Sequence, residues 1–340
     1  MKTLFAACAA LLVAAPAASA QLPTPPDPQQ PPPDPAQPTT PAPPAPQPAE
    51  GKGSIEIGSG LSDGGKRYVA AGQRLRLSGR VKPFVAGQHV IVQLYRGHKR
   101  VGSRTVEVTQ APDGNGSFAA VFRVKSAGNY TVKARHQGTD QQARFTMANK
   151  RFQAMKGGVG RGSGRTRIHL VQMGLKRLAY VTSTNGHFDA ATGRAVLAFR
   201  KTNRMSRNSS VSAKVFEMLL SGHGGFRLKY PNAGKHVEAD LSRQVLVLAR
   251  DGKAQRIYHM SSGKASTPTV VGSFRFYRKQ PGTNSHEMVH SSYFIRGYAI
   301  HGYKEVPASA ASHGCLRVPI PNALSIFRWV KLGDRIFVYR

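Results

Sequence analysis

Cysteine is nearly absent from this chain, with two in 340 residues, Cys8 and Cys315. That excludes a disulfide-dense scaffold and any four-cysteine zinc site. Acidic residues are also scarce: 16 Asp plus Glu stand against 49 Lys plus Arg, for a formal charge of +33. After the first twenty positions no run of 18 apolar residues occurs, which excludes a multi-pass membrane protein. Aromatic content is only 8%, yet the 40% hydrophobic content is enough to build real cores and argues against wholesale disorder. The length suggests two or three domains.

The first segment reads as an address. In residues 1–20, Lys2 precedes an apolar stretch from Leu4 to Val13, and Ala18-Ser19-Ala20 supplies the small residues of a signal-peptidase site. A secretory leader cleaved after Ala20 is expected. The stretch is short for a membrane anchor and too short before Cys8 for a lipoprotein signal. Cleavage removes Lys2, taking +33 to +32, and removes Cys8, leaving Cys315 as the sole thiol of an exported protein. Such a thiol is either buried and inert or kept for thiolate chemistry.

Downstream the composition changes several times. Residues 21–53 form a proline-rich linker, with 14 of the 23 prolines between Gln21 and Glu50. Proline fixes φ and lacks an N–H, so neither helix nor sheet is expected there, only a semi-rigid spacer. Residues 54–147 show short alternating runs such as Arg74-Leu75-Arg76-Leu77 and Val90-Ile91-Val92-Gln93-Leu94, with a hairpin-type turn at Asp113-Gly114-Asn115-Gly116. Six to eight strands at this spacing suggest an immunoglobulin-like β-sandwich without the paired cysteines. Residues 148–166, containing the run Gly157 to Arg165, read as a glycine-rich linker rather than a phosphate loop, because no strand is expected before the run and no Gly-Lys-Ser/Thr closes it.

Residues 167–224 carry three helical stripes: Ile168, Val171, Gln172 and Leu175; Ala191, Ala195, Val196 and Phe199; and Val211, Val215, Met218 and Leu219. Asp189 suits the N-cap of the middle helix. From residue 235 to 340 strand signals return, with a hairpin around Asp251-Gly252 and later strands at Gly272–Phe276, Tyr298–His301 and Arg335–Tyr339. One helix interrupts them, with Pro321 at its first position and Gly333 placed to cap its end. The expected fold is therefore multidomain and mainly β: a sandwich, a small three-helix bundle and a mostly β domain with one short helix.

Chemistry concentrates between Ile300 and Val318. His301 ends an apolar strand, and Ser312-His313-Gly314-Cys315-Leu316-Arg317 follows a loop of small residues. Cysteine acyl transfer needs a thiolate, an imidazole to take its proton, and donors for a developing oxyanion. Gly314 permits a tight turn and close approach of substrate, and Arg317 brings a cation that lowers the thiol pKa or holds a carboxylate. His301, His313 and Cys315 could alternatively hold zinc, although Glu305 is the only carboxylate nearby to serve as base.

Two family resemblances rest on these residues. Val171-Gln172, Gly186-His187-Phe188-Asp189, Thr192, Ala195-Val196 and Phe199 resemble the peptidoglycan-binding-like helical module of cell-wall enzymes. Ile300-His301-Gly302 followed by Ser312 to Arg317 resembles the catalytic signature of the L,D-transpeptidases, the cysteine enzymes that cross-link bacterial peptidoglycan. The likeness extends through Asp240-Leu241-Ser242, Ser262-Gly263, Thr267-Pro268 and Gly333-Asp334. It implies Cys315 as nucleophile and His301 as proton carrier, with Ser312, His313, Gly314 and Arg317 forming the oxyanion and substrate-binding part of the motif, and no metal or other cofactor. Peptidoglycan stem peptides are the implied substrate.

An exported protein meets the cell envelope first, so the positive charge points to anionic wall polymers rather than nucleic acid. A secreted, envelope-located monomer without an integral membrane segment is expected. L,D-carboxypeptidase activity at the same site, a non-catalytic peptidoglycan-binding protein and a zinc-dependent wall amidase are the competing readings.

Overall fold

A computed structural model describes residues 47–340 of the chain. The expected leader at 1–20 and the linker up to residue 46 lie outside the described residues.

The N-terminal part contains eleven strands. They are β1 (Lys52–Ile57), β2 (Leu61–Asp63), β3 (Lys66–Ala70), β4 (Arg74–Lys82), β5 (His89–Arg96) and β6 (Lys99–Glu107). Then follow β7 (Thr109–Gln110), β8 (Gly116–Arg123), β9 (Gly128–His136), β10 (Phe145–Thr146) and β11 (Lys150–Met155). One sheet has the order β1-β4-β8-β7 and the other β2-β3-β11-β9-β5-β6, with β10 on β9. Strict alternation creates the faces: Leu75, Leu77 and Val81 of β4 point inward and are buried, whereas Arg74, Arg76, Arg80 and Lys82 point out. Both sheets contribute to one core that includes Ile55, Val92, Phe118, Val132 and Phe152.

Two stretches that read as linker are strand. β1 begins at Lys52, and β11 lies between β3 and β9, burying Phe152 and Ala154. Glycines on one side and Asn149 on the other mask this short alternating run. The following glycine segment is also tied down. Val159 is buried against Val211, and the Arg167 guanidinium donates to the carbonyls of Lys156, Gly157 and Gly158 at 3.0–3.3 Å.

Three helices follow: α1 (Arg165–Arg177), α2 (Ala190–Thr202) and α3 (Ala213–Ser221). Asp189 caps α2 by accepting the Thr192 N–H at 2.8 Å, and Ser212 caps α3. Gly222, at φ +75°, ends α3 in the left-handed region. Buried Gln172 accepts the Gly186 N–H at 2.8 Å and donates into the 183–192 loop, including 2.9 Å to the His187 carbonyl. The helices share one core with Leu61, Tyr68 and Ala70 of the first part and with Val247 and Ile257 of the last. Residues 47–340 thus form one compact unit.

The C-terminal part holds β12 (His236–Asp240), β13 (Val245–Arg250), β14 (Lys253–His259), β15 (Gly272–Arg275), β16 (Arg278–Thr283), β17 (Val289–Ile295), β18 (Tyr298–Tyr303), β19 (Leu316–Pro319), α4 (Ile320–Trp329) and β20 (Arg335–Tyr339). Its sheets run β14-β13-β12-β20-β15 and β16-β17-β18-β19. Val237, Leu246, Ile300, Leu316, Ala323 and Ile336 meet in a shared core. The β13–β14 hairpin turns at Asp251-Gly252 as its sequence suggests. α4 starts one residue before Pro321, and it ends at Trp329 with Val330 as C-cap, so Gly333 lies beyond it at φ +84°. No helix among the described residues is long and apolar enough to cross a membrane.

Candidate active site

β18 and β19 run parallel in adjacent positions, with Ile300 opposite Leu316 and His301 opposite Arg317. A parallel pair cannot be closed by a tight turn, so the chain must travel out and back through the 304–315 loop. Cys315 is the last residue of that loop. It stands one step before Leu316, where β19 begins, and two residues before Arg317, which lies opposite His301.

His301 is buried. Its Nδ1–H donates to the Gly302 carbonyl at 3.0 Å, which assigns the tautomer and leaves Nε2 as the basic nitrogen. Desolvation pushes its pKa down to about 4; the Gly302 bond opposes this and the Arg317 cation adds to it. Cys315 is half-buried, and its Sγ donates to the Gly297 carbonyl at 3.6 Å. Burial pushes the thiol pKa up, against smaller opposite effects of the Ala299 backbone and Arg317. The resting pair at neutral pH is therefore a thiol and a neutral imidazole. The sequence suggests that Arg317 lowers the thiol pKa; it does, but desolvation outweighs it. The guanidinium is held over the Tyr303 ring at 4.1 Å, and that ring meets His301 edge-on at 5.7 Å.

Ser312 is buried and shapes the turn before the thiol. Its hydroxyl donates to the Cys315 carbonyl at 2.6 Å and accepts the Gly314 N–H at 3.0 Å. Gly314 has φ +118°, and a Cβ there would sit 2.5 Å from Tyr298 Cε1. His313 is exposed. The same turn is clamped by residues the sequence did not mark as functional. Thr267 Oγ1 donates to the Ser312 carbonyl at 2.9 Å, and Thr269 Oγ1 donates to the Gly314 carbonyl at 2.7 Å while accepting the Gly263 N–H at 2.9 Å. Ser261 exchanges both backbone hydrogen bonds with Arg317 at 2.9 Å. The density of hydroxyls and turn residues from Ser261 to Thr269 was the available signal. Among the described residues, no group of three or more His, Cys, Asp or Glu is gathered to hold a metal ion.

Residues 234–338 match the family model of the L,D-transpeptidase catalytic domain. A solved L,D-transpeptidase from Xylanimonas cellulosilytica is 30% identical, over 54% of this chain and 97% of that one, with a TM-score of 0.48. Residues 234–338 are an L,D-transpeptidase catalytic domain. A solved L,D-transpeptidase from Stackebrandtia nassauensis is 17% identical over 52% of this chain and 92% of that one, at TM-score 0.34. The catalytic domain of the E. faecium L,D-transpeptidase is 26% identical over 32% of this chain and 98% of that one, at TM-score 0.28. No curated protein matches the chain.

Two outcomes follow for the L,D-transpeptidase domain. Gly314→Ala combines a φ that favours glycine with a clash against Tyr298, so a stability loss of about 1–3 kcal/mol is expected. Displacing the adjacent thiol should also change its rate of alkylation. Tyr298→Ala in the same chain relieves the clash and not the φ strain, so only part of the loss should return. Thermal unfolding and thiol alkylation together read both effects.

The second outcome concerns pH. The unfolded imidazole takes its proton near 6.5, whereas folded His301 holds it off until about 4. Its contribution to stability is therefore complete above about pH 6.5 and is lost as the pH falls through that window. Any step that needs neutral His301 should persist down to about pH 4 and fall about tenfold per unit below it. A limb near 6.5 would contradict a desolvated imidazole.

Proposed function

We propose that this chain is a secreted peptidoglycan L,D-transpeptidase working through a thioester on Cys315. His301 Nε2 removes the thiol proton as Sγ attacks the carbonyl of the L,D-peptide bond after the third residue of a donor tetrapeptide stem. The carbon–nitrogen bond breaks, the proton passes from His301 to the departing amine, and D-alanine leaves. The side-chain amine of a diamino acid on a neighbouring stem then attacks the thioester, releasing the thiol and forming the cross-link. Water in place of the amine gives L,D-carboxypeptidase activity.

The reading is supported most by the in-register pairing of β18 with β19 inside the family-matching domain, with His301 opposite Arg317 and Cys315 two residues before Arg317. Backbone N–H groups of the 312–315 turn are the donors we assign to the oxyanion, with Ser312 and Gly314 holding that turn's shape. Arg317 is assigned to the substrate carboxylate and to the local positive field. His313 is assigned to the rim of the substrate site, because it is exposed.

The strands of β1 to β11 fit an immunoglobulin-like spacer, and α1 to α3 a peptidoglycan-binding-like module. Export to the cell envelope rests on the leader. The excess of Lys and Arg is proposed to hold the enzyme on anionic wall polymers, so retention on isolated cell walls should drop as ionic strength rises. Unchanged retention removes the electrostatic explanation.

Incubation with a disaccharide-tetrapeptide, with and without an added amine acceptor, tests the reaction class. Release of D-alanine with formation of an acceptor adduct supports transpeptidation. Release with only the tripeptide as product shifts the assignment to carboxypeptidation, and no release sinks both.

A further inference from the structure

Lys201 is the one lysine of α2, and its relative exposure is only 2%. Burying an amine is unfavourable unless its donors are satisfied, and an apolar side chain would fill the same space without that cost. Its acceptors all belong to the C-terminal part of the chain. Nζ lies 2.7 Å from His259 Nδ1, 2.9 Å from the Met260 carbonyl and 3.3 Å from the Gln244 carbonyl. The amine thus sits where the helices meet the L,D-transpeptidase domain, and it binds the domain rather than its own bundle.

Two hydrogen-bonded arms run from this amine to the loop that carries the thiol. In the first, His259 Nε2 donates to the Val306 carbonyl at 2.8 Å, which fixes Nδ1 as the acceptor facing Lys201. Val306 lies early in the 304–315 loop. In the second, the Gln244 side chain accepts the Ser262 N–H at 2.8 Å and donates to the Ser262 hydroxyl at 2.6 Å. The Ser262 carbonyl in turn accepts the N–H groups of Ala311 and Ser312 at 2.8 and 2.9 Å. Ser312 then holds the Cys315 carbonyl. His259, Gln244, Ser262 and Ser312 are all buried, so water does not compete for these bonds.

We infer that Lys201 is a positioning residue for the Cys315 reaction, acting from the helical part of the chain to hold both ends of the 304–315 loop. This rests on the reading of Cys315 as the acylated group. Burial and the nearby Arg207 cation lower the Lys201 pKa to about 6, and burial with the Lys201 and Arg194 cations lowers that of His259 to about 3. A neutral amine has two N–H donors, enough for His259 and the Met260 carbonyl; the second arm is then reached through Met260, whose own N–H donates to the Gln244 carbonyl at 3.1 Å. The helices are then part of the catalytic unit and not only a spacer.

The test uses the full chain with Lys201→Met, which keeps length and apolar volume and removes the donors. Three readings are taken well below the unfolding temperature: amide hydrogen exchange over residues 304–314, the alkylation rate of Cys315, and kcat and KM for D-alanine release. The expected result is exchange at least about tenfold faster in that segment, an altered alkylation rate, and a kcat lowered by about tenfold or more with KM nearly unchanged. His259→Gln can still accept at Oε1 and donate from Nε2, so it should stay near the wild type, while His259→Phe should resemble Lys201→Met. The Lys201→Met/His259→Phe double variant should be no worse than the poorer single one if the two share an arm. A folded Lys201→Met protein with wild-type exchange and wild-type alkylation overturns the inference, even if its melting temperature is lower. If Lys201→Met does not fold, His259→Phe decides the question by the same readings. A wild-type protein that releases no D-alanine counts against the proposed function, while exchange and alkylation still decide the role of Lys201.

Discussion

Cys315→Ala is expected to abolish thioester formation and to reduce D-alanine release by at least about 10⁴-fold, because Cys315 is the only thiol in the 300–318 segment. The substitution removes a half-buried Sγ whose hydrogen bond, to the Gly297 carbonyl, is long at 3.6 Å. Stability should therefore change by no more than about 1 kcal/mol. The turn itself is held by Ser312, Thr267 and Thr269 and does not depend on the sulfur. A folded, inactive variant is the outcome that isolates chemistry from structure, and circular dichroism beside a turnover assay separates the two. Turnover retained in Cys315→Ala would remove the thiol from the mechanism altogether.

His301→Gln should carry the second largest effect, a loss of about 10²–10⁴-fold in acylation. Burial makes the base more necessary here, since it raises the thiol pKa and disfavours a preformed thiolate. Glutamine can keep a donor toward the Gly302 carbonyl but offers no nitrogen that takes a proton. The variant should recover rate as the pH climbs toward the elevated thiol pKa, where solvent ionises the sulfur directly. His313→Gln is the companion experiment. His313 is exposed and is assigned no proton transfer, so its replacement should leave the acid limb near pH 4 in place. Acylation kept by His301→Gln and lost by His313→Gln would exchange the two roles.

Much of this arrangement is visible in the sequence because it depends on local patterns. Alternation in Arg74 to Leu77 gives a strand, the Asp251-Gly252 pair gives a hairpin, and Asp189 three residues before Thr192 gives a capped helix. What escaped lies where local signals conflict. β16 and β17 contain polar runs, with Pro281 and Gly282 inside the first, so periodicity does not announce them. β11 is hidden beside glycines, and its place between β3 and β9 depends on partners far away in sequence.

At the site, the two side chains proposed to react stand in one short motif, but their state does not. That desolvation outweighs Arg317 on the thiol, or that Thr269 bridges Gly263 and Gly314, follows from packing that no spacing rule encodes. Lys201 is the extreme case. It reads as an ordinary helix-end cation, and only the tertiary structure reveals it at the junction with the loop that carries Cys315.

Whether Cys315 carries the acyl group can be read by mass spectrometric peptide mapping after brief exposure to a disaccharide-tetrapeptide donor. One acyl adduct is expected, on the peptide containing Cys315, with a mass equal to the donor less D-alanine. An unmodified Cys315 peptide alongside continuing D-alanine release, or an adduct on any other residue, would contradict thioester catalysis at this position.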